Sequence, residues 1–309
     1  MFSSLTSVAT QVAVLFILIG IGFLCSKKDI FDEHTVKHIT HFILFFVTPT
    51  VIINSFNREY DPLLVKKLLV SAGCAVTAHV LAIVLSYILI HDKEQAKRAV
   101  LRYGIIFSNC GYMALPLQNA ILGTEGVFLG TAYIGVFNLI TWTYGLVLMS
   151  GSLKEINIRK VFINPGIIGI AAGLLVFLTP FKLPVILASP IQHLANLNTP
   201  LPMFIIGFYL AQIKSFAVLK DPKLLLGIAM RLILCPLAVM GVMFLLGIRD
   251  NILPCMVIAS SAPTAANTTM FAAKYEKDTQ ISVTMVAMST LFSIITMPVL
   301  VTLAMSFMK

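Results

Sequence analysis

Two apolar runs in this chain, each long enough to cross a membrane, are interrupted midway by small polar residues and a proline. The first interruption is Phe107-Ser108-Asn109-Cys110-Gly111-Tyr112-Met113-Ala114-Leu115-Pro116, and the second is Ala259-Ser260-Ser261-Ala262-Pro263-Thr264-Ala265-Ala266-Asn267. Proline removes a backbone donor and its ring clashes with the preceding turn, so a helix breaks or unwinds there. At membrane depth, broken backbone is tolerated only inside protein or beside a wet cavity. Either break alone has a plainer reading, a bent structural helix. Two breaks in corresponding halves point instead to the binding site of a secondary transporter.

The composition agrees with a membrane setting. Apolar residues make up 58% and charged residues only 11%, with a mean hydropathy of +0.95, against roughly 25% charged in soluble domains. The lipid bilayer is therefore the first expected partner. Spans of ~20 residues with short connectors use up all 309 residues and leave no room for a soluble domain. The net charge of +9 is read as charge retained in loops and not as a nucleic-acid surface. Cys25, Cys74, Cys110, Cys235 and Cys255 stand far apart with no CxxC spacing, which fits buried thiols better than a disulfide framework or zinc. No metal or organic cofactor is expected.

The apolar runs divide into ten spans. In order they cover Thr10 to Cys25, Lys37 to Phe56, Leu63 to Ile90, a broken span ending near Gly123 after the basic linker His91 to Arg102, and Val127 to Met149. A polar loop, Ser150 to Asn164, precedes Pro165 to Thr179, Ile191 to Ile213, Leu224 to Leu246, the broken span Ile252 to Ala273, and Ile281 to Met305. The first span lacks the basic lead-in and cleavage site of a signal peptide and is read as a retained helix. Pro116 and Pro263 lie 147 residues apart, and Thr48-Pro49 and Thr199-Pro200 lie 151 apart. Offsets this similar predict a duplication into residues 1–150 and 151–309. Five being odd, the two copies are inverted. The expected fold is thus an all-α membrane protein of ten helices in a 5+5 inverted repeat.

Fifteen of the 22 lysines and arginines fall in odd-numbered loops and six in even loops or termini, with Arg231 inside span eight. Positive loops stay in the cytoplasm, so a cytoplasmic-membrane protein with both termini outside is expected.

Half-helices exposed by a break end in donors at one tip and carbonyls at the other, and two such breaks together offer a cradle for an anion. Asn109, Gly111, Tyr112 and Pro116 from the first break, with Ser261, Pro263, Thr264, Asn267 and Thr268 from the second, are the candidate site. Asn138 in span five is either part of it or an interhelical hydrogen-bonding group. Arg231 reads first as a side chain snorkelling to the interface near Lys223, second as a substrate contact. His79, alone in span three, is either a packed interhelical histidine or a proton carrier and coupling candidate. His34, His38 and His41 share a helix face, without a cysteine or carboxylate to complete a metal site. No acid lies deep in a span, which argues against a carboxylate-lined cation site, and no GxSxG, HExxH or GxxxxGK[ST] supports an enzyme or an ATP-driven pump.

At these residues the chain resembles the auxin efflux carrier family, in particular its compact prokaryotic branch with malate and malonate permeases. Asn109 with Pro116, Ser261-Ala262-Pro263, Phe271-Ala272-Ala273-Lys274-Tyr275, Ser289-Thr290-Leu291, Pro298, and Asn138 with Trp142 carry the likeness. It implies helices four and nine crossing at their prolines, a scaffold of helices one, two, six and seven, and an elevator-like core of three to five and eight to ten. It also implies a small organic carboxylate held by Asn109 and the Pro116 and Pro263 crossing, with Asn138 lining the pocket. The family's acid and lysine in span three fall here on Gly73 and Thr77, so its charge compensation does not carry over. A sodium or proton antiporter, a gated channel or a sensor of the same architecture stays open, as does a homodimer.

Overall fold

A computed structural model of the chain describes residues 2–156, 159, 162–179, 183–212 and 221–308. Lys160, Lys182, Lys214, Lys220 and Lys309 of the charge census, and the expected end of span seven at Ile213, lie outside the described residues. The elements run α1 (Phe2–Lys27), α2 (Glu33–Phe42), α3 (Thr48–Phe56), α4 (Pro62–Leu89), α5 (Gln95–Ile106), α6 (Leu115–Ile140), α7 (Leu146–Ser150), α8 (Pro165–Leu178), α9 (Val185–Asn196), α10 (Pro200–Ala211), α11 (Pro222–Ala229), α12 (Cys235–Leu245), α13 (Ile252–Ser261), α14 (Asn267–Lys274) and α15 (Thr279–Ser306). No strand occurs among the described residues. Seven helical stretches are long and apolar enough to cross a membrane, and α8 and α13 are shorter apolar helices.

The helix starts follow from local chemistry. Asp32, Asp61, Asn164, Asp221 and Asp278 each accept a backbone N–H from the first turn of the helix they precede, satisfying donors that have no intrahelical partner. In three of these the next residue is proline, Pro62, Pro165 and Pro222, whose missing N–H costs nothing at a first helical position. Inside the spans proline acts differently. Wide π-helical turns at Ile43–Val47, Cys110–Ala114 and Met230–Leu234 each end two residues before a proline, Pro49, Pro116 and Pro236. Each wide turn gives room to the carbonyl that the ring would otherwise strike.

The stretch Cys110–Ser150 is folded back at Gly123, whose φ of 64° and ψ of −157° lie in a region open only to glycine. This separates broken span four from span five where the sequence places their boundary. Elsewhere small residues let backbones touch. Helix α1 packs along α10, and a Cβ on Gly207 would lie 2.0 Å from the Ile19 carbonyl oxygen, while one on Gly22 would lie 2.3 Å from that of Phe204. Helix α3 similarly packs on α8.

Charged residues cluster at the two ends of α4. At one end Lys67 pairs with Glu125 at 2.9 Å, and Asn251 donates to the same carboxylate at 3.1 Å. At the other, Lys223 and Lys97 lie 3.0 and 3.5 Å from Asp92, and Lys97 also pairs with Asp221. A rise of ~1.5 Å per residue separates the clusters by about 35 Å, which brackets a hydrocarbon layer of ~30 Å.

Two outcomes are expected. Gly207→Ala lowers the melting temperature of the purified protein, by an overpacking cost of about 1–3 kcal/mol, whereas Gly20→Ala on α1, with open space at its Cβ, leaves it unchanged or slightly raised. The backbone N–H of Glu94, then Lys223 and Lys97, hold the Asp92 carboxyl down to about 2. A depressed folded value stabilises fully above the unfolded value of ~3.9 and loses that stabilisation as pH falls toward 2. Asp92→Asn should therefore melt lower than the wild type at neutral pH and converge with it on acidification.

Candidate functional site

Helix α5 stops at Ile106 and α13 at Ser261, and the extended segments that follow meet. Ser108 and Thr264 form an isolated antiparallel bridge. Across it Asn109 N–H donates to the Pro263 carbonyl at 2.7 Å and Ala265 N–H to the Phe107 carbonyl at 2.9 Å. After the bridge the chains re-enter helices, at Cys110 in one case and Asn267 in the other.

All four last-turn carbonyls of α5 have named partners. Tyr103 O accepts from Phe107 N–H, Gly104 O from the Thr264 hydroxyl at 3.0 Å, and Ile105 O and Ile106 O from Arg231 Nη1 at 2.7 and 3.4 Å. Arg231 Nη2 donates to Ser260 O at the end of α13. Thr264 N–H donates to Ser289 Oγ of α15 at 3.0 Å. The Asn109 side chain accepts from Tyr112 N–H at 3.3 Å and so caps the helix that leaves the bridge.

The structure brings Asn109, Ser261, Pro263 and Thr264 together as buried groups at the crossing. Gly111 and Tyr112 follow half-buried on the departing helix, and a Cβ on Gly111 would meet nothing within 4 Å, which leaves its backbone open to a close-lying group. Asn267 Oδ1 and Thr268 Oγ1 are buried without a hydrogen-bond partner among the described residues. The Asn138 amide donates to Ile134 O at 3.0 Å and lies against Gly166 of α8. His79 is fully buried. Its Nδ1 is 2.8 Å from Ala75 O and its ring packs 4.9 Å from Tyr133 and 6.3 Å from Phe107.

Arg231 requires a correction. It does not snorkel: the residue is 1% exposed and its guanidinium lies among backbone carbonyls at the crossing. The stem does not run to the interface because the π turn at Met230–Leu234 places Arg231 against the ends of two broken helices, where acceptors are concentrated.

Beside Pro116 a cavity of about 120 Å³ opens between α3, α6 and the end of α9. Its lining includes Asn54, Ser55, Asn119, Gln192, Asn196 and Asn198, with no charged side chain among the described residues. Asn198 Oδ1 is buried there without a hydrogen-bond partner among the described residues. None of these amides was singled out from the sequence. The available signal is their position within two turns of Pro49, Pro116, Pro190 and Pro200.

A helical membrane protein whose two broken helices exchange backbone hydrogen bonds beside a polar cavity has the architecture of a transporter. The chain matches the family described as membrane transport protein over residues 7–161 and 152–301. It is similar to an uncharacterized transporter of Methanothermobacter thermautotrophicus, 24% identical over 303 residues, covering 94% of this chain and 96% of that one. It is likewise similar to an uncharacterized transporter of Methanocaldococcus jannaschii, 22% identical over 298 residues, covering 92% and 94%. The protein belongs to this membrane transport family, the auxin efflux carriers.

Removing the Ser289 hydroxyl strands a buried N–H at the crossing. Ser289→Ala should therefore cost about 1–3 kcal/mol, read as a lower melting temperature, while Ser306→Ala at the far end of α15 should not.

Proposed function

We propose that this chain is a secondary carrier that moves a small organic carboxylate, such as malate, malonate or an auxin-like acid, by alternating access. The observation that carries the reading is the mutual capping of two broken helices at Phe107–Asn109 and Pro263–Ala265. Beyond it two helices start, at Cys110 and Asn267, with open space at Gly111, and their N-terminal dipole ends favour an anion there.

The architecture we propose for it is ten helices in two inverted copies, residues 1–150 and 151–309. Dividing the stretch at Gly123 and joining α5 and α13 to the helices beyond their breaks gives that count. The matching Asp61-Pro62 and Asp221-Pro222 starts of α4 and α11 support the repeat. Helices one, two, six and seven would be the scaffold, in keeping with the α1–α10 and α3–α8 packing. The remaining six would form the moving core, in a cytoplasmic membrane with both termini outside. Asn109, Gly111, Tyr112, Pro116, Ser261, Pro263, Thr264 and Asn267 are the proposed binding residues, with Asn138 at the margin and His79 as coupling candidate.

A cation-coupled antiporter is the weaker reading, because no carboxylate among the described residues hydrogen-bonds at the crossing. A channel is separated from a carrier by counterflow. In proteoliposomes loaded with unlabelled malonate, malate or lactate, the carrier should accumulate external label transiently, and a channel should only equilibrate it. Asn109→Ala should reduce that counterflow at least about fivefold, since a cap of this kind contributes about 1 kcal/mol or more. Wild-type counterflow from the alanine variant removes Asn109 from the site. His79→Gln should abolish the pH dependence of uptake if His79 carries the proton, and an unchanged profile excludes it.

A further inference from the structure

We infer that Arg231 is the resident countercharge of the crossing and sets its binding site for an anion of single charge. The inference rests on the carboxylate-carrier reading and names the substrate class for it.

The guanidinium is 1% exposed and pairs with no carboxylate among the described residues. Its acceptors are the Ile105, Ile106 and Ser260 carbonyls, and its Nε–H has no partner there. A fully buried permanent charge with only carbonyl partners is costly. The two helix ends supply part of the compensation, because each C-terminal tip carries about −0.5 charge. The planar fork spans α5 and α13 at once, a geometry that a lysine's point charge does not reproduce.

The count at the crossing follows. Two C-terminal tips at about −0.5 and two N-terminal tips, at Cys110 and Asn267, at about +0.5 offset one another. Among the groups hydrogen-bonded at the crossing, the one formal charge is that of Arg231. A monocarboxylate neutralises the site, whereas a dicarboxylate leaves a second charge facing a cavity lined by neutral amides.

The consequence for transport is specific. When the core translates as a rigid body, its helix dipoles move no net charge across the membrane, but Arg231 does. The empty core carries one positive charge, and the core loaded with a monoanion carries none.

The test uses the full chain in proteoliposomes, with lactate as the monoanion and malonate as the dianion, under a potassium–valinomycin potential. Exchange of labelled lactate for lactate, which needs only the loaded core to cross, should be insensitive to voltage. Net lactate efflux, which needs the empty core to return, should respond to it. In Arg231→Met, exchange should become voltage-sensitive because the loaded core then carries the lactate charge, while net efflux stays voltage-sensitive, with affinity for lactate at least about tenfold weaker, as for loss of a charged partner. In Arg231→Lys the wild-type voltage pattern should persist. Loss of a residue that merely held the helices together would change rates without making lactate exchange voltage-sensitive. If Arg231→Met does not fold, the wild-type and lysine patterns decide. The inference is overturned by voltage-sensitive lactate exchange in the wild type, by an unchanged pattern in a folded Arg231→Met, or by exchange of malonate but not lactate. Absence of counterflow with every carboxylate overturns the carrier reading and this inference with it. Carboxylate exchange with the wrong voltage pattern overturns this inference alone.

Discussion

Backbone polar groups inside a membrane have no water to fall back on, and each one left unpaired costs several kcal/mol. Breaking two helices in mid-span exposes many of them at once. Here the debt is settled by bringing the two breaks together: Ala265 N–H reaches Phe107 O, and Asn109 N–H reaches Pro263 O. Neither broken helix is satisfied alone, so the crossing both holds the fold together and forms the candidate site. The same tips that need partners in the folded chain are the ones with polarity to offer a guest.

The surrounding structure keeps those tips in register. Thr264 ties the bridge to α5 through Gly104 and to α15 through Ser289, and aromatic packing of Phe107 with Tyr103, Phe137 and His79 closes the side toward α4 and α6. Arg231 then adds a permanent charge to groups that are otherwise partial dipoles. Its position explains how a crossing without acidic residues still has a definite electrostatic sign. The cavity beside Pro116 is neutral but rich in amides, so polarity near the site comes in two kinds, one charged and one not.

The starts at Pro62, Pro165, Pro222 and Thr279 lie within two residues of those expected at Leu63, Pro165, Leu224 and Ile281, whereas Phe2 and Val185 precede the expected Thr10 and Ile191 by eight and six; where a cap is present it is local. Asp61-Pro62, Asn164-Pro165, Asp221-Pro222 and Asp278 announce themselves within four residues. The second break falls beside its proline, Pro263, whereas the first, at Phe107–Asn109, ends seven residues before Pro116, whose clash is taken up by the π turn Cys110–Ala114. The π turns before Pro49, Pro116 and Pro236 were not legible, since a wide turn and a kink relieve the same clash and tertiary packing chooses between them. The sequence leaves Asn138 between pocket and interhelical roles, and the direction of its amide toward Gly166 depends on how α8 packs against α6. Asn54, Gln192 and Asn198 went unnoticed because isolated amides in three distant segments mean nothing until the helices are adjacent.

By itself the sequence determined that this chain belongs in a membrane and which two apolar runs are interrupted, since hydropathy and the small polar residues and proline of an interruption are read over a few residues. Only the tertiary structure decided that the breaks pair with one another and that Arg231 turns inward. Both depend on which acceptors lie within hydrogen-bond reach across more than a hundred residues of chain, and in lipid an unpaired donor takes the partner that packing brings near.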